Sequence, residues 1–386
     1  MYLKRIILVF VVLIFISCDT DDTSLDTNAT SDTSQLFPNF QFIELGQGSL
    51  FLNSREALFN SDSQSFNFNE LVDNSGGFSD RFLLFGDYYM SFDFVEEGED
   101  LPVFIRRQYG SEGDVYILPA TENPTNGIVV VNNRQIIRSV LREDNFSFDL
   151  NVYNYITGET SIIESTLNLS TSGGTQFKVF NNDYLIIFNQ TDDFKTLVRI
   201  YDLNSLTESA SLIIDDLINT SSGGPVIQEI IGDKLFLTGS GTTDTLYEFN
   251  LSSGVYNGSQ SYGVFQNERS VQANGRIYLG TKNANNELFF DLSTINVSNR
   301  TMSSLDISEL IIDRANDNGY FTSRPYRFTY SDEQNVWIVA VLNFDDSNLD
   351  TADIEYLKIS NEGEIVASTE TPEDNETRPI SNLRAD

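Results

Sequence analysis

Short apolar runs, each broken by turn-forming residues, set the pattern of the chain from Phe37 onward. The runs are rich in Val, Ile, Leu, Phe and Tyr, and the breaks contain Gly, Asn, Asp and Ser. This punctuation is typical of strands joined by hairpins. Helical spacing of apolar residues is confined to one short candidate, Asp306 to Ile312. The pattern therefore predicts an all-β protein.

A tight-turn pair followed by an apolar strand recurs seven times, at intervals of 40, 46, 50, 50, 42 and 58 residues. Periods of about 40 to 50 residues indicate propeller blades. Two further markers recur with it: an aliphatic residue beside an aromatic one, and a Ser-Gly-Gly triplet. The turn pairs are Gly46-Gln47, Gly86-Asp87, Asn132-Asn133, Asn182-Asp183, Gly232-Asp233, Asn274-Gly275 and Asp332-Glu333, and the aliphatic–aromatic pairs include Val115-Tyr116, Val152-Tyr153, Ile200-Tyr201, Leu246-Tyr247 and Leu288-Phe289.

We predict a β-propeller of seven four-stranded blades, with six or eight blades as alternatives. A ring of blades leaves no long open sheet edge. The first two units fit the repeat least well, and the stretch from Ser293 to Arg324 holds either an eighth unit or an insertion. The Gly-Ser-Thr-rich segment Gly239 to Asp244 is predicted to be a hairpin loop, because it lacks the Gly-Lys-Ser/Thr of a phosphate-binding loop.

The N-terminus has the organisation of an export signal. Lys4 and Arg5 precede eleven consecutive apolar residues, Ile6 to Ile16, which is too short a run to span a bilayer. Ser17 then precedes Cys18, the single cysteine, and an Asp-rich stretch follows. This arrangement resembles the lipobox of bacterial lipoproteins, and the acidic run resembles the export signal of Bacteroidota-type surface lipoproteins. It predicts a signal peptide at 1–17, a lipidated Cys18 with a disordered tether to residue 35, and one propeller domain at 36–386. The alternative is a buried thiol behind an uncleaved anchor.

Charge and composition exclude several function classes. The chain carries 57 acidic and 23 basic residues, a net charge of -34, so phosphate-driven binding of nucleic acid is not expected. Histidine is absent, which removes Ser-His-Asp catalysis and His-ligated metal sites. No cofactor is predicted. The acidic loops 96–100 and 345–353 leave calcium binding open, although neither matches the EF-hand loop pattern.

The longer connections are predicted to share one end of the propeller, because strands within a blade alternate in direction. Long loops on a rigid scaffold are common sites of binding. The segment GYFTSRPYRFTY, residues 319–330, contains the densest mixture of arginine and aromatic residues and is predicted to enter the innermost strand of the last blade. We place Tyr326, Phe328 and Tyr330 on one face of that strand, and Pro325, Arg327 and Thr329 on the other. We predict a loop from Tyr320 to Arg324 before that strand, and the predicted ligand-binding residues are Arg314, Tyr320, Phe321, Arg324 and Arg327.

With its lipobox and divergent blades, the chain resembles surface lipoproteins with propeller domains that work beside TonB-dependent transporters. The resemblance implies a protein anchored in the outer membrane by lipid alone and facing the cell exterior. It also implies a non-enzymatic role in binding a small anionic or aromatic ligand such as a ferric siderophore, a glycan, or the transporter. The alternatives are a carboxylate-dependent enzyme acting on polysaccharide and an outer-membrane scaffold.

Lipidation at Cys18 gives the first testable prediction. Replacing Cys18 by Ala removes the acylated thiol, so the variant should leave the membrane fraction and appear in the soluble fraction, while Ser24→Ala should stay with the membrane. Mass spectrometry of the wild-type protein should find residues 1–17 removed. An unmodified Cys18 would contradict the lipoprotein hypothesis.

Overall fold

A computed structural model describes most of the chain outside its first 35 residues. The described residues are 36–44, 55–70, 83–85, 88–94, 102–108, 114–117, 124–132, 134–142, 148–164, 176–180, 183–190, 195–214, 228–238, 245–262, 265–286, 288–347, 352–371 and 380–385. Residues Phe37–Asp386 form one compact unit. Cys18 and the predicted tether lie outside the described residues.

Twenty-eight strands, grouped in seven antiparallel sheets, and one helix make up the regular structure of the described residues. Blade 1 contains β1 (Phe40–Glu44), β2 (Arg55–Asn60), β3 (Ser65–Glu70) and β28 (Ile380–Ala385); blade 2 contains β4 (Leu83–Phe85), β5 (Tyr88–Phe94), β6 (Pro102–Gln108) and β7 (Asp114–Ile117); blade 3 contains β8 (Pro124–Val131), β9 (Gln135–Leu141), β10 (Phe148–Asn154) and β11 (Glu159–Ile163). Blade 4 contains β12 (Gln176–Phe180), β13 (Tyr184–Gln190), β14 (Thr196–Asp202) and β15 (Thr207–Ile214); blade 5 contains β16 (Gln228–Ile231), β17 (Lys234–Thr238), β18 (Thr245–Asn250) and β19 (Tyr256–Ser261). Blade 6 contains β20 (Phe265–Ala273), β21 (Arg276–Lys282), β22 (Phe290–Asn296) and β23 (Thr301–Leu305), and blade 7 contains β24 (Thr322–Ser331), β25 (Val336–Phe344), β26 (Asp353–Ile359) and β27 (Ile365–Glu370).

The predicted seven-bladed β-propeller is confirmed. Blades 2 to 7 each consist of four consecutive strands, whereas blade 1 has the order β28-β1-β2-β3 and so joins the two ends of the chain. The first strands of neighbouring blades contact one another, as β16 contacts β20, β20 contacts β24 and β24 contacts β28. These strands are therefore the innermost ones. No helix among the described residues is long and apolar enough to cross a membrane.

Blade 1 corrects the predicted phase of the repeat. In blades 2 to 7 the tight-turn pair lies between the innermost and second strands, as predicted. Gly46-Gln47 lies between β1 and β2, which are the second and third strands in space because β28 supplies the innermost one. Val115-Tyr116 is also displaced, since it lies in β7, the fourth strand of blade 2. The antiparallel pairing of β17 with β18 agrees with a hairpin at 239–244, although those loop residues lie outside the described part.

The stretch from Ser293 to Arg324 contains an insertion and no eighth blade. After β22 and β23 it forms helix α1 (Ser308–Asn318), longer than the predicted 306–312. Asp306 accepts a hydrogen bond from the Ser308 backbone N–H, and Gly319 ends the helix with φ 81°, a left-handed conformation that glycine adopts without strain. Ile307 and Ile311 are buried in the apolar cluster between blades 6 and 7.

The core lies between the blades, where the apolar faces of adjacent sheets pack together. Between blades 6 and 7, Tyr278 stacks on Tyr330 with ring centroids 3.6 Å apart, and Trp337 meets both rings edge-on. Trp337 is therefore a core residue. The sheets of blades 4 to 7 are covered on both faces by their neighbours, so each of these blades depends on the blade at either side.

Two sets of hairpins are joined by hydrogen bonds at one end of the propeller, which we call the tight end: the turns between innermost and second strands and those between third and outermost strands. In blades 3, 4 and 5 a buried residue in the turn between the third and outermost strands donates its backbone N–H to a carbonyl in the turn between the innermost and second strands. The pairs are Tyr155 to Arg134 at 3.0 Å, Leu203 to Asp183 at 2.7 Å and Leu251 to Asp233 at 2.9 Å. The opposite end, which carries the second-to-third-strand connections and the connections between blades, is called the open end.

The closing strand β28 gives a prediction about stability. Ile380 is 1% exposed and packs between blades 1 and 7, so Ile380→Ala should lower the free energy of unfolding by about 2 to 5 kcal/mol. Ile162→Ala makes the same change at a side chain that is 64% exposed, and should change it by less than about 0.5 kcal/mol. Denaturant unfolding curves check both variants, and equal effects would contradict the closure by β28.

Candidate functional site

The predicted ligand-binding residues lie on two elements, α1 with its C-terminal connection and the innermost strand β24. The first belongs to the connection from blade 6 to blade 7, which lies at the open end, and β24 begins where that connection ends. The prediction that residues 319–330 lead into an innermost strand of the last blade is confirmed. Arg324 lies within β24 and not in the preceding loop, where the sequence prediction had placed it.

A β-bulge in β24 changes which side chains share a face. Arg324 pairs with Leu342 and Pro325 with Val341, but the next pair is Arg327 with Ala340, so Tyr326 is an extra residue. Directly opposed residues share a face of the sheet. Leu342 and Ala340 pack toward blade 1, whereas Val341 packs toward blade 6.

The predicted division of β24 into two faces is therefore partly wrong. Tyr326 packs with the apolar cluster toward blade 1, while Phe328 and Tyr330 pack toward blade 6. Arg327 lies on the face toward blade 1 and Pro325 on the opposite one. The extra residue thus places Arg324, Tyr326 and Arg327 on one face, where strict alternation would have separated the two arginines.

Arg324 and Arg327 each stack against an aromatic ring. The Cζ atom of Arg324 lies 5.4 Å from the centroid of Phe344, and that of Arg327 lies 4.4 Å from the centroid of Tyr326. Arg327 Nη1 also donates to the Tyr326 carbonyl at 3.3 Å. The Nε atom of each arginine is buried and has no hydrogen-bond acceptor within the described structure. Neither guanidinium forms an ion pair with a carboxylate there.

Arg314 has a different environment. Its Nε donates to Glu355 Oε1 at 2.7 Å, its Nη2 donates to the same oxygen and, at 2.6 Å, to the Ser368 hydroxyl. Glu355 is buried and accepts a further hydrogen bond from Asn343. Hydrogen bonding to Glu355 raises the pKa of Arg314. Arg314 is therefore neutralised within blade 7, and it fixes α1 to the sheet.

Tyr320 and Phe321 follow the helix. Burial, followed by the negative charges of Glu370, Asp353, Glu355 and Asp345, raises the pKa of Tyr320, so the surroundings of its hydroxyl are acidic. Phe321 is 62% exposed, and its backbone N–H donates to the Phe344 carbonyl at 2.8 Å. Phe321 therefore lies beside Phe344, the residue on which Arg324 stacks.

Glu229 is a carboxyl between blades 5 and 6 that the sequence reasoning missed. It lies on β16, and its Oε1 accepts a hydrogen bond of 2.6 Å from Ser270 on β20, so the pair joins the innermost strands of blades 5 and 6. Burial raises the pKa of Glu229 to about 7. Nothing in the local sequence VIQEII distinguishes this glutamate from a solvated one. Its partner is 41 residues away.

Metal binding finds no support in the described residues, where no group of three or more His, Cys, Asp or Glu side chains is placed to hold an ion. The acidic loop 96–100 and part of 345–353 lie outside them. Calcium binding at those loops therefore stays an open hypothesis.

Comparisons with known proteins find similar folds and no family. No protein-family model matches the sequence, and no curated protein matches it. Among solved structures, a candidate 6-phosphogluconolactonase from Bacteroides uniformis has a TM-score of 0.45 at 12% identity, covering 90% of this chain and 98% of its own. A similar candidate from Bacteroides fragilis has a TM-score of 0.43 at 10% identity, covering 89% and 99%. BamB from Moraxella catarrhalis has a TM-score of 0.38 at 11% identity, covering 75% and 87%.

Glu229 gives a prediction about pH. Its raised pKa means that the folded protein keeps a proton that the unfolded chain releases above about pH 4.3, so stability falls as the pH rises toward 7. Glu229→Gln cannot ionise and still accepts from Ser270. It should raise stability at pH 8 by about 2 kcal/mol, below the full linkage value because solvent reaches part of the side chain, and at pH 5 by less than half of that, because pH 5 lies only just above the unfolded pKa.

The control for this experiment is Glu309→Gln, at an exposed carboxylate on α1. It should change stability by less than about 0.5 kcal/mol at either pH. Thermal unfolding of the three proteins at pH 5 and pH 8 makes the comparison. A Glu229→Gln effect that is the same at both pH values would show that the carboxyl does not titrate in this window.

Proposed function

We propose that the protein is a non-enzymatic binding protein that captures an anionic ligand at the open end of its propeller, through Arg324 and Arg327. The observation that carries this proposal is the pair of guanidinium groups on one face of β24, neither of which forms an ion pair with a carboxylate among the described residues. Tyr326 lies between them in sequence, and Phe321 is the exposed ring nearest to them along the chain.

The charge balance of the protein supports this site. The chain carries 57 acidic residues, and other described arginines are paired with them, as in Arg55 with Glu44, Arg199 with Glu208 and Arg300 with Glu248. Two guanidinium groups without a carboxylate partner, in a protein with so many carboxylates, are expected where a ligand supplies the negative charge.

The anionic ligand is proposed to bind at β24 and not at Arg314. Glu355 neutralises Arg314, and the acidic groups around Tyr320 oppose an anion at its hydroxyl. We retain Tyr320 and Phe321 as residues at the rim, with Arg324 and Arg327 as the groups that carry the charge of the site.

The cellular role that we propose follows the N-terminal sequence. A lipid on Cys18 would anchor the protein in the outer membrane, facing the exterior, where it would assist a TonB-dependent transporter by capturing a ligand such as a ferric siderophore. A glycan or the transporter itself is the alternative partner. The alternative of a polysaccharide-acting enzyme requires a pair of catalytic carboxylates about 5 to 9.5 Å apart. Glu229 is a carboxyl on an innermost strand, but its hydrogen-bond partner is a serine and not a second carboxylate.

The test is ligand binding by the double variant Arg324→Ala, Arg327→Ala. Each charged hydrogen bond contributes about 1.5 to 3 kcal/mol, so the double variant should bind at least about 100-fold more weakly than the wild type. Tryptophan fluorescence quenching and calorimetry with a panel of ferric catecholate, hydroxamate and carboxylate siderophores and acidic oligosaccharides make the measurement.

Arg276→Ala is the matched control, because Arg276 lies on β21 at the tight end. It should bind as the wild type does. If no member of the panel binds the wild-type protein, or if the double variant binds equally well, the open end of β24 is not a ligand site and the proposal fails.

A further inference from the structure

Helix α1 carries a row of three carboxylates on its exposed side. Glu309, Asp313 and Asp317 follow one another at intervals of four residues, so each lies one helical turn from the next. All three side chains are exposed, and none of them forms an ion pair with a described residue. Like charges at this spacing destabilise a helix, and a carboxylate in the last turn, where α1 has no basic residue, opposes the helix dipole. The row is therefore unfavourable for α1 by itself.

Two exposed apolar side chains lie beside this row. Ile312 is 41% exposed and follows Glu309 by three residues, which places it on the adjoining part of the helix surface. Leu288, in the connection between β21 and β22, is 55% exposed. Its neighbour Phe289 is buried in the same apolar cluster as Ile311, the neighbour of Ile312. The shared cluster therefore brings Leu288 and Ile312 to the same junction of blades 6 and 7, at the open end.

Phe321 extends the apolar surface past the end of α1. The Tyr320 backbone N–H donates to the Ala315 carbonyl at 2.9 Å, so the chain turns back onto the last turn of the helix. Phe321 follows directly and is 62% exposed. Single exposed apolar residues are common on proteins, but three of them around one helix, rimmed by carboxylates, indicate a surface that contacts a partner protein.

The charge of this surface determines which partner fits it. Residues 306–321 contain four carboxylates and one basic residue, Arg314, which Glu355 neutralises. Burial, and then the negative charges of Glu370 and Asp353, raises the pKa of Tyr320, so the acidic region extends beyond the helix. A second copy of this chain, with its own net charge of -34, would be repelled, as would an anionic lipid surface. A protein segment that contains both basic and apolar side chains is complementary to the whole surface.

We propose that the exposed side of α1, together with Leu288 and Phe321, is a docking surface for a basic, apolar segment of a partner protein. The basic side chains of that segment contact the carboxylate row, and its apolar side chains cover Leu288, Ile312 and Phe321. This inference goes beyond the proposed function, because the surface on α1 selects a cationic partner whereas β24 is proposed to hold an anion.

Fluorescence anisotropy on the full chain in detergent tests the proposal with three short labelled peptides. The first alternates lysine and leucine, the second lysine and serine, and the third glutamate and leucine. The lysine–leucine peptide should bind at least 10-fold more tightly than either of the others, because it alone supplies both positive charge and apolar surface. If the lysine–serine peptide binds as tightly, the apolar residues take no part and the proposal is wrong.

The first variant, Leu288→Ser with Ile312→Ser, removes part of the apolar surface. It should bind the lysine–leucine peptide at least 10-fold more weakly than the wild type, since apolar area is no longer covered on binding. Ile156→Ser with Ile162→Ser is the matched control on blade 3, at side chains that are 56% and 64% exposed, and should bind the peptide unchanged. Equal effects of the two pairs would refute docking on α1.

The second variant removes the carboxylate row through Glu309→Gln, Asp313→Asn and Asp317→Asn. It should also bind the lysine–leucine peptide at least 10-fold more weakly. Its control has the same net charge and removes three exposed carboxylates from other blades: Glu159→Gln, Glu164→Gln and Glu362→Gln. The control should bind as the wild type does. If both triple variants lose affinity equally, the peptide follows net charge alone and the proposal fails.

Cross-linking of the wild-type protein needs no variant. Carbodiimide joins the lysine amines of a bound peptide to carboxylates that lie next to them. Mass spectrometry should find products at Glu309, Asp313 and Asp317 in at least 5-fold higher yield than at the three control carboxylates. Equal yields at both sets would refute the proposal even if a variant does not fold.

The outcomes separate this inference from the proposed function. Arg324→Ala with Arg327→Ala should not weaken binding of the lysine–leucine peptide, because these arginines lie outside the carboxylate row. If that double variant loses its anionic ligand and keeps the peptide, both proposals stand. If the peptide shows no dependence on α1 while the anionic ligand depends on the two arginines, only the docking surface is wrong.

Discussion

The pairing of β28 with β1 is the interaction on which the rest of the structure depends. A blade buries its two apolar faces only against its neighbours, and the first and last blades can do so only if the ring closes. Closure is made by main-chain hydrogen bonds between strands at opposite ends of the propeller domain. The apolar clusters between the blades are therefore coupled to a contact whose residues are about 340 positions apart in sequence, a separation that makes closure slow in folding and central to stability.

Closure also builds the candidate site. As the innermost strand of blade 1, β28 lies beside β24, and the Tyr326 hydroxyl donates to the Ile380 carbonyl at 3.4 Å. The face of β24 that carries Arg324 and Arg327 is the face toward blade 1. The two arginines thus stand at the junction where the ring closes. A regular strand would have directed one of them to blade 6, so the bulge at Tyr326 is what makes a pair of them.

Much of the fold could be predicted from sequence because it depends on local chemistry. Tight turns need Gly, Asn or Asp, and buried strands need apolar residues, so pairs such as Gly232-Asp233 and Asn274-Gly275 locate the hairpins and their period gives the blades. The phase of blade 1 could not be predicted, since a seven-fold repeat does not say which end of the chain supplies the innermost strand. The bulge could not be predicted either, because nothing in the sequence RPYR indicates that one of its residues is unpaired.

The candidate site was predictable in its location and less so in its chemistry. The density of arginine and aromatic residues in 319–330 identified the segment. The partners of its side chains are distant in sequence: Glu355 lies 41 residues from Arg314, as Ser270 lies 41 residues from Glu229. Sequence therefore could not separate Arg314, neutralised by a buried carboxylate, from Arg324 and Arg327, which have none among the described residues.

This difference bears on how an acidic protein could hold an anion. At physiological ionic strength, exposed charges more than about 8 Å apart are largely screened, so most of the net charge of -34 acts weakly on a ligand at β24. Charges close to a bound ligand would decide its binding energy, and at the proposed site these are the guanidinium groups of Arg324 and Arg327. The carboxylates near Tyr320 lie at the same end of the propeller, and their negative charge opposes the binding of an anion there. Under the proposed function, a ligand that contacts both guanidinium groups at once would recover more short-range energy against the surrounding negative charge than a ligand that contacts only one.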